Sequence, residues 1–498
     1  MRGLAPSTRL SRLTKILVLL GALPLQAQGE DLVQVYRDAQ NYDAVYAAAR
    51  HTLEAGRERL PQGRALLLPR VELSGNATRS RTESESRDTA LAPDFTRRPS
   101  SVGYALSFAQ PIYRPQDRLR YRQAEHQVAQ AEAAFGQAGQ DLIIRTAQAY
   151  FDVLAAQDSL GLVRAQKAAI SEQLAQAKRN FEVGTATITD THEAQARFDL
   201  IAAQEIAAQN DLENRRQALH LITGKDYGEL KPLRADVKLA PPNPNNMESW
   251  VELAEKQSYP VLAQEAATEV AALEARRASA EHLPTLDLVA THGQTGQSAS
   301  TNSAVGADIT STSIGLELAM PLYQGGAINS REREAAALSL RARQDLENAK
   351  RNVALVTRQS YLTVINGISQ ISALEQALVS SQSALDSNKL GYEVGVRINI
   401  DVLNAQQQLF ATRRDLAVAR YNTITNQLRL KAAAGSLREE DLEEVNRALT
   451  PNYRFTGAAG GRPRGGARSR RGAPRIAAFL PEPCFRVSMR SLKATRLH

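Results

Sequence analysis

The chain has 498 residues, only 5% of them aromatic, and a formal net charge of +8. The charge is unevenly placed, because residues 1–27 carry +4 and residues 451–498 carry +10, which leaves −6 for residues 28–450. A nucleic-acid-binding function inferred from the overall basic charge therefore loses its support, and we expect no nucleic-acid partner.

The first predicted element is a secretory signal peptide, residues 1–27. Four basic residues precede the apolar run at residues 16–25, and the small residue Ala27 follows it. Basic residues, then an apolar run, then a small residue is the order found in export signals. A buried N-terminal helix is the alternative interpretation of the same segment.

A helix from Leu32 to Leu60 and two strands are predicted next. Apolar and polar residues alternate over 71–78 and again over 102–109, which is typical of strands with one apolar face. The polar segment 81–100 between them predicts a long exposed loop. The alternation in isolation also allows a half-buried hairpin on a soluble core.

Two long helices then form a predicted hairpin, Pro115 to Glu182 and Asp190 to Ile222. Ala, Gln, Leu, Glu and Arg dominate these stretches, as in long packed helices. The first helix would be a rod of roughly 100 Å. Its apolar residues recur at spacings of three and four, which predicts coiled-coil packing. These residues are Ile143, Ala147, Tyr150 and Leu154.

The second half of the chain repeats this order. Phe181 aligns with Tyr392, Gly184 with Gly395 and Asp190 with Asp401, always 211 positions apart. The repeat predicts a helix over 247–280, strands at 286–290 and 314–320 joined by the loop 294–311, and a second helical hairpin ending with the helix 401–434. Its apolar stripe contains Val364, Ile368, Ile371 and Leu374.

A tandem duplication therefore organises the chain. We expect a first repeat at 28–224, a Pro-rich linker at 225–249, a second repeat at 250–435 and a short segment at 436–450. Residues 451–498 are rich in Gly, Pro and Arg, have no counterpart in the first half and are expected to be disordered.

The four predicted strands cannot close a barrel alone, since about eight strands is the minimum. Each strand is nevertheless long enough to cross hydrocarbon when tilted. After the signal segment no run of eighteen apolar residues occurs, so membrane insertion would have to use strands. Strands from several chains must then join, and three chains would give twelve.

Catalytic motifs are not found in the sequence. We find no His-Glu-x-x-His, no Cys cluster and no nucleophile elbow, so metal hydrolysis and acyl transfer have no candidate residues. We expect the protein not to be an enzyme and to need no cofactor.

Several motifs together resemble the TolC family of outer-membrane channel proteins. They are the strand endings FAQPIYR at Phe108 and LAMPLYQGG at Leu318, the turn motifs FEVGTATITD and GYEVGVRINIDVLNAQ, and the segment ARYNTITNQLRLKAAAGSL from Ala419. The resemblance covers residues 30–450.

This resemblance implies a fold that combines a membrane β-barrel with an α-helical barrel. Each protomer of a homotrimer would give four strands to a 12-stranded barrel in the outer membrane of a Gram-negative bacterium, and its helices to a periplasmic tunnel. Implied partners are outer-membrane lipid, a periplasmic adaptor and an inner-membrane transporter of the ABC or RND type, which passes drugs or secreted proteins into the duct. The competing interpretation is a soluble periplasmic coiled-coil scaffold or adaptor.

The resemblance also implies residues for a gate at the hairpin tips. The linking Thr and Asp of the family match Thr189 and Asp190, and its linking Tyr and Arg match Tyr392 and Arg397. Of the two carboxylates that narrow the family's entrance, the first matches Asp401 and the second falls on Asn404, so a trimer would present three charges there instead of six. From spacing alone, Asp190 and Asp401 are equally well explained as N-caps of their helices.

Overall fold

The structure is a computed structural model that describes residues 30–85, 87, 95–234, 237–298 and 305–449. The predicted signal peptide and the predicted disordered tail lie outside the described residues.

The first half follows the order helices, strands, helical hairpin. Its elements are α1 (Leu32–Tyr42), α2 (Ala44–Arg57), α3 (Arg59–Ala65), β1 (Arg70–Arg79), β2 (Thr82–Ser84), β3 (Phe95–Arg97), β4 (Ser100–Tyr113), α4 (Pro115–Glu182) and α5 (Ile188–Thr223). The second half contains α6 (Met247–Gln257), α7 (Tyr259–Ser279), β5 (Thr285–Gln297), β6 (Ala307–Ala319), α8 (Ala327–Glu393), α9 (Asn399–Ala433) and α10 (Glu439–Arg447). A short 3-10 turn, Ala280–His282, follows α7.

The single helix predicted over 32–60 is wrong, because the chain breaks there into α1, α2 and the start of α3. Asp43 ends α1 with extended backbone (ψ 117°) and caps α2, its carboxylate accepting the Tyr46 N–H at 2.7 Å. A carboxylate that accepts a backbone N–H competes with helix continuation. The helix predicted over 247–280 is likewise divided at Ser258, because Pro260 cannot lie inside a continuous helix without clashing with the carbonyl four residues before it.

Four strands form one antiparallel sheet in the order β1-β4-β5-β6. The register pairs Leu73 with Leu106 and Leu288 with Leu316. It places the alternating apolar residues of all four strands on one continuous face, whereas Glu72, Asp287 and Glu317 lie on the other. Much of the apolar face is exposed in the protomer, with Leu73 72% and Leu316 66% accessible.

The loops between paired strands are shorter than predicted. β5 extends to Gln297 and β6 begins at Ala307, so half of the polar segment 294–311 belongs to the ladder. The segment 81–100 contains a further small hairpin, in which Glu83 pairs with Thr96. Polar residues continue the strands because ladder hydrogen bonds depend on the backbone and not on apolar side chains.

The long helices pack as two antiparallel hairpins, α4 with α5 and α8 with α9, and α4 also packs against α9 and α7. The stripe predicted on α4 is buried at Ile143, Ala147, Tyr150 and Leu154. These residues belong to the largest core, which also receives side chains from α1, α5, α9 and α10.

The segment between the halves is fixed beside this core. Glu30 forms a parallel bridge with Leu230, and Leu233 forms an antiparallel bridge with Leu449. The Tyr150 hydroxyl lies 2.8 Å from the carbonyl oxygen of Lys231 and 3.2 Å from that of Glu30. The segment therefore holds both ends of the described chain against the middle of α4.

Across the residues that the structure describes, no helix has both the length and the apolar character needed to span a bilayer.

Candidate functional site: the hairpin tips

The two hairpins turn with the same backbone geometry. Gly184 (φ 78°) follows α4 and Gly395 (φ 76°) follows α8, both in the left-handed region that glycine adopts without strain. The N–H of Thr185 donates to the Asn180 carbonyl and the N–H of Val396 donates to the Gly391 carbonyl, each at 2.8 Å. The duplicated motif therefore specifies a tight helix-to-helix turn in each half.

The first tip is held by a capping box. Thr187 is the N-cap of α5, and the Asp190 carboxylate accepts hydrogen bonds from the Thr187 backbone N–H at 3.0 Å and hydroxyl at 2.9 Å. Asp190 is thus the third residue of the helix and not its N-cap, which corrects the capping interpretation. Its contact is still a helix-start contact, because the capping box satisfies otherwise unpaired N–H groups.

The second tip lacks this box. The residue at the N-cap of α9 is Ile398, which has no side-chain acceptor, so Asp401 is again the third helical residue and not the N-cap. Its carboxylate lies 3.7 Å from an Arg397 guanidinium nitrogen, one helical turn away, and Arg397 is 58% exposed. Arg397 therefore keeps donors available to a further partner.

The predicted linking residues do not pair with one another inside the protomer. The Tyr392 hydroxyl is 3.1 Å from Nδ2 of Asn180, which joins the two hairpins next to the turns. Thr189 is exposed. Among the described residues, no hydrogen bond joins Thr189 or Asp190 to Tyr392 or Arg397.

A buried amide pair joins the hairpins farther from the turns. Gln173 of α4 donates through Nε2 to Oδ1 of Asn399 at 2.6 Å, and Asn399 is 1% exposed. The Asn399 Nδ2 group has no partner in this buried position. A buried polar group with unused donors makes this part of the interface weaker than an apolar one.

Asn404 is also engaged by the first hairpin. Arg197 of α5 donates from Nη2 to the Asn404 Oδ1 and from Nη1 to the Gln407 Oε1, both at 3.0 Å. One guanidinium therefore spans two successive turns of α9.

Within the first hairpin, an ion-pair cluster lies above the tip. Lys167 and Arg164 of α4 donate to Glu205 of α5 at 2.9 and 3.1 Å, and these hydrogen bonds hold the pKa of Glu205 below its usual 4.5. The cluster joins α4 to α5, so it stiffens one hairpin without connecting the two.

Sequence reasoning missed the contacts made by Asn180, Gln173 and Arg197. A clue was available in the difference between the halves, since Asn399 and Asn404 stand where the first half has Ile188 and Glu193. Positions at which the two repeats carry different residue types can mark contacts that only one half makes.

The fold and tips define a class of protein, the TolC-like outer-membrane channels. The solved channel protein CusC superimposes with a TM-score of 0.69 at 18% identity, covering 82% of this chain and 92% of that one. The CmeC outer membrane channel of Campylobacter jejuni gives 0.69 at 18% identity, covering 84% and 90%.

The chain belongs to the outer membrane efflux protein family, whose model matches residues 35–225 and 250–436. It is 34% identical over 432 residues to the outer membrane protein TolC of Vibrio cholerae, covering 86% of this chain and 96% of that relative. It is 32% identical over 420 residues to the alkaline protease secretion protein AprF of Pseudomonas aeruginosa, covering 83% and 86%. It is therefore an outer-membrane channel protein. The predicted family, fold class and location are confirmed, and the alternative interpretation as a soluble periplasmic scaffold is not supported.

Proposed function

We propose that three copies of this chain form one continuous exit duct of a tripartite export machine. The duct receives cargo from an inner-membrane transporter of the ABC or RND type through a periplasmic adaptor and conducts it passively to the exterior. The observation that carries this proposal is the four-stranded sheet, whose apolar face is exposed and whose two edges are open.

The edges argue for assembly. In the described part of the sheet, β1 pairs only with β4 and β6 only with β5. The edge strands β1 and β6 are 10 and 13 residues long. Each would leave a row of unpaired backbone N–H and C=O groups, which hydrocarbon cannot satisfy. Pairing β6 of one protomer with β1 of the next removes every edge, and three protomers give twelve strands.

The exposed face argues for lipid contact. Val71, Val102, Tyr104 and Ile314 lie on one side of the sheet and are between 47% and 77% accessible. Soluble monomers rarely leave so continuous an apolar surface uncovered. The opposite face, with Glu72 and Glu317, would line the aqueous lumen.

Two cargo classes are supported. The family is named for efflux, and AprF is named for secretion of an alkaline protease. A passive duct can serve small molecules and secreted proteins with the same walls, since the adaptor and transporter choose the cargo. We therefore assign both classes to this duct.

The gate is proposed at the hairpin tips. Thr189, Asp190, Tyr392 and Arg397 would link neighbouring hairpins, and Asp401 and Asn404 would line the entrance. In support, Tyr392 already contacts the first hairpin through Asn180, and Arg397 is exposed and keeps guanidinium donors beyond its 3.7 Å contact with Asp401. Exposed polar links of about 1 kcal/mol each are weak enough for an adaptor to break.

Planar-bilayer recording tests the proposal. The purified mature protein should insert and show small, long-lived conductances that grow in Tyr392→Phe and Arg397→Ser. Trimers that resist detergent and three-fold symmetry in micrographs would accompany insertion. If the protein inserts and both variants behave like the wild type, the gate assignment is wrong while the duct stands. If the protein does not insert, the duct itself is rejected.

A further inference from the structure

Arg197 makes a charged contact between the two hairpins, and neither the repeat nor the family motifs point to it. It lies two to three turns into α5 and is half-buried. Its two terminal nitrogens donate to Asn404 and Gln407, which are three positions apart on one face of α9.

We propose that Arg197 is a positioning residue that holds the entrance turns of α9 against α5 and must release them when the entrance widens. The proposal rests on the proposed function, which places Asp401 and Asn404 at the entrance. It adds a contact from α5 to α9, formed by Arg197 with Asn404 and Gln407, which we call the latch.

The packing around Arg197 limits where α9 can move. Leu403, next to Asn404, is buried in a small core with Ala194 and Ile201 of α5. Arg197 lies at the rim of this core, where its two acceptors are exposed. Outward movement of α9 must break the rim contact together with a few apolar contacts, so the guanidinium can control the first step of opening.

The other hydrogen bonds between the hairpins near the tips come from α4. Gln173 of α4 binds Asn399 of α9, and Asn180 of α4 binds Tyr392 of α8. Gln173 therefore holds α9 on α4, whereas Arg197 holds α9 on α5 beside the apolar contacts of Leu403. A movement that separates α9 from α5 can occur with the α4 contacts intact, and Arg197 opposes that movement specifically.

The chemistry requires arginine. A guanidinium is planar and presents donors in a rigid fork, so one side chain can bind two acceptors at once. A lysine ammonium keeps the charge but lacks this fork. The two amide acceptors are uncharged, so the contact is a charge-assisted hydrogen bond and not an ion pair.

The test is single-channel recording of the full mature protein with Arg197→Ala, Asn404→Ala, the double variant and Arg197→Lys. Arg413→Ala is the matched control, because Arg413 donates to Gln382 at 3.1 Å within the second hairpin. We expect Arg197→Ala to raise the ratio of open to closed dwell time at least about fivefold, because it removes two hydrogen bonds and the net loss of a single one already predicts that factor. The double variant should open no more than Arg197→Ala alone, since Asn404→Ala removes a contact that Arg197→Ala has already removed.

Arg197→Lys distinguishes the geometry of the guanidinium fork from its positive charge, because lysine keeps the charge and lacks the fork. If the fork is responsible, Arg197→Lys opens like Arg197→Ala, and its reversal potential in a salt gradient stays that of the wild type. If Arg197→Lys gates like the wild type, or the two alanine changes add, or Arg413→Ala opens equally, the latch is rejected. When Tyr392→Phe opens the channel and Arg197→Ala does not, only this inference fails; when the wild type does not conduct, the proposed function fails with it.

Discussion

The hydroxyl of Tyr421 on α9 donates a hydrogen bond of 2.6 Å to the carboxylate of Asp158 on α4. The contact joins the two halves inside the largest core, where Tyr421 also stacks on Phe151 with ring centroids 5.6 Å apart. Burial raises the pKa of Asp158 above its usual 3.8, and the Tyr421 hydrogen bond offsets part of that rise. An ionised carboxylate in this buried position lowers the stability of the fold, because it loses its hydration.

Asp158→Asn should be more stable than the wild type at neutral pH, and this difference in unfolding free energy should grow as the pH rises from acid. Because the pKa of Asp158 is higher in the folded state, its stabilising contribution is complete below pH 3.8 and is lost as the pH rises through the folded pKa. Asparagine stays neutral and can still accept from Tyr421, so the variant should unfold at a higher free energy than the wild type at neutral pH.

Denaturant unfolding midpoints at a series of pH values would measure this gain. Asp199→Asn, which changes an exposed carboxylate on α5, is the control and should show no such trend. A constant difference between Asp158→Asn and the wild type at every pH would contradict the assignment.

Asp43→Ala should destabilise the protein by about 2–3 kcal/mol. The Asp43 carboxylate caps α2 and accepts two hydrogen bonds from Arg145, at 2.8 and 3.0 Å. Burial would raise the pKa of Asp43, but the Arg145 hydrogen bonds and the Tyr46 N–H outweigh it and hold the pKa below 3.8.

The pH dependence of this effect has the opposite sign to that of Asp158. Since the folded pKa is lowered, the stabilisation is present above pH 3.8 and is lost as the pH falls through the folded pKa. The difference in unfolding free energy between the wild type and Asp43→Asn should therefore shrink in acid. A difference that stays constant or grows in acid would show that the Arg145 contact does not stabilise the ionised Asp43 carboxylate.

Gly435→Ala should be much more damaging than Gly395→Ala. Both glycines have positive φ, at 72° and 76°, so alanine at either costs about 1 kcal/mol of backbone strain. A Cβ at 435 would also collide with the backbone carbonyl of Gln257, whereas a Cβ at 395 meets nothing within 4 Å.

We expect Gly435→Ala to lose at least about 2 kcal/mol more than Gly395→Ala. Thermal unfolding of the two variants measures the difference. Equal losses would mean that the end of α9 can shift away from the segment between α6 and α7.

Thr187→Ala should loosen the first turn of α5 by about 1 kcal/mol without opening the channel. Thr187 binds Asp190 within its own helix start, so its loss affects the cap and not a contact between hairpins. Hydrogen exchange at the first amides of α5 should accelerate, while the single-channel conductance stays unchanged. A clear rise in conductance would show that the capping box is itself part of the gate.

Several elements could be predicted because their causes are local. The helix Pro115–Glu182 was predicted with the bounds that the structure shows, since Pro115 can occupy a first turn and the turn after Glu182 needs Gly184. The four long strands followed from their alternation. The single helix over 32–60 was wrong because one capping side chain, Asp43, outweighed a continuous helical composition.

The duplication, the helical hairpins and the glycine turns at their tips can be predicted from the amino-acid sequence, because periodicity and φ preference act over a few residues. Which side chains meet between the hairpins depends on how distant segments of the chain pack together. The contacts of Arg197 with Asn404 and of Asn180 with Tyr392 join residues 207 and 212 positions apart. Such partners depend on how α4, α5, α8 and α9 pack, and no local propensity specifies that packing.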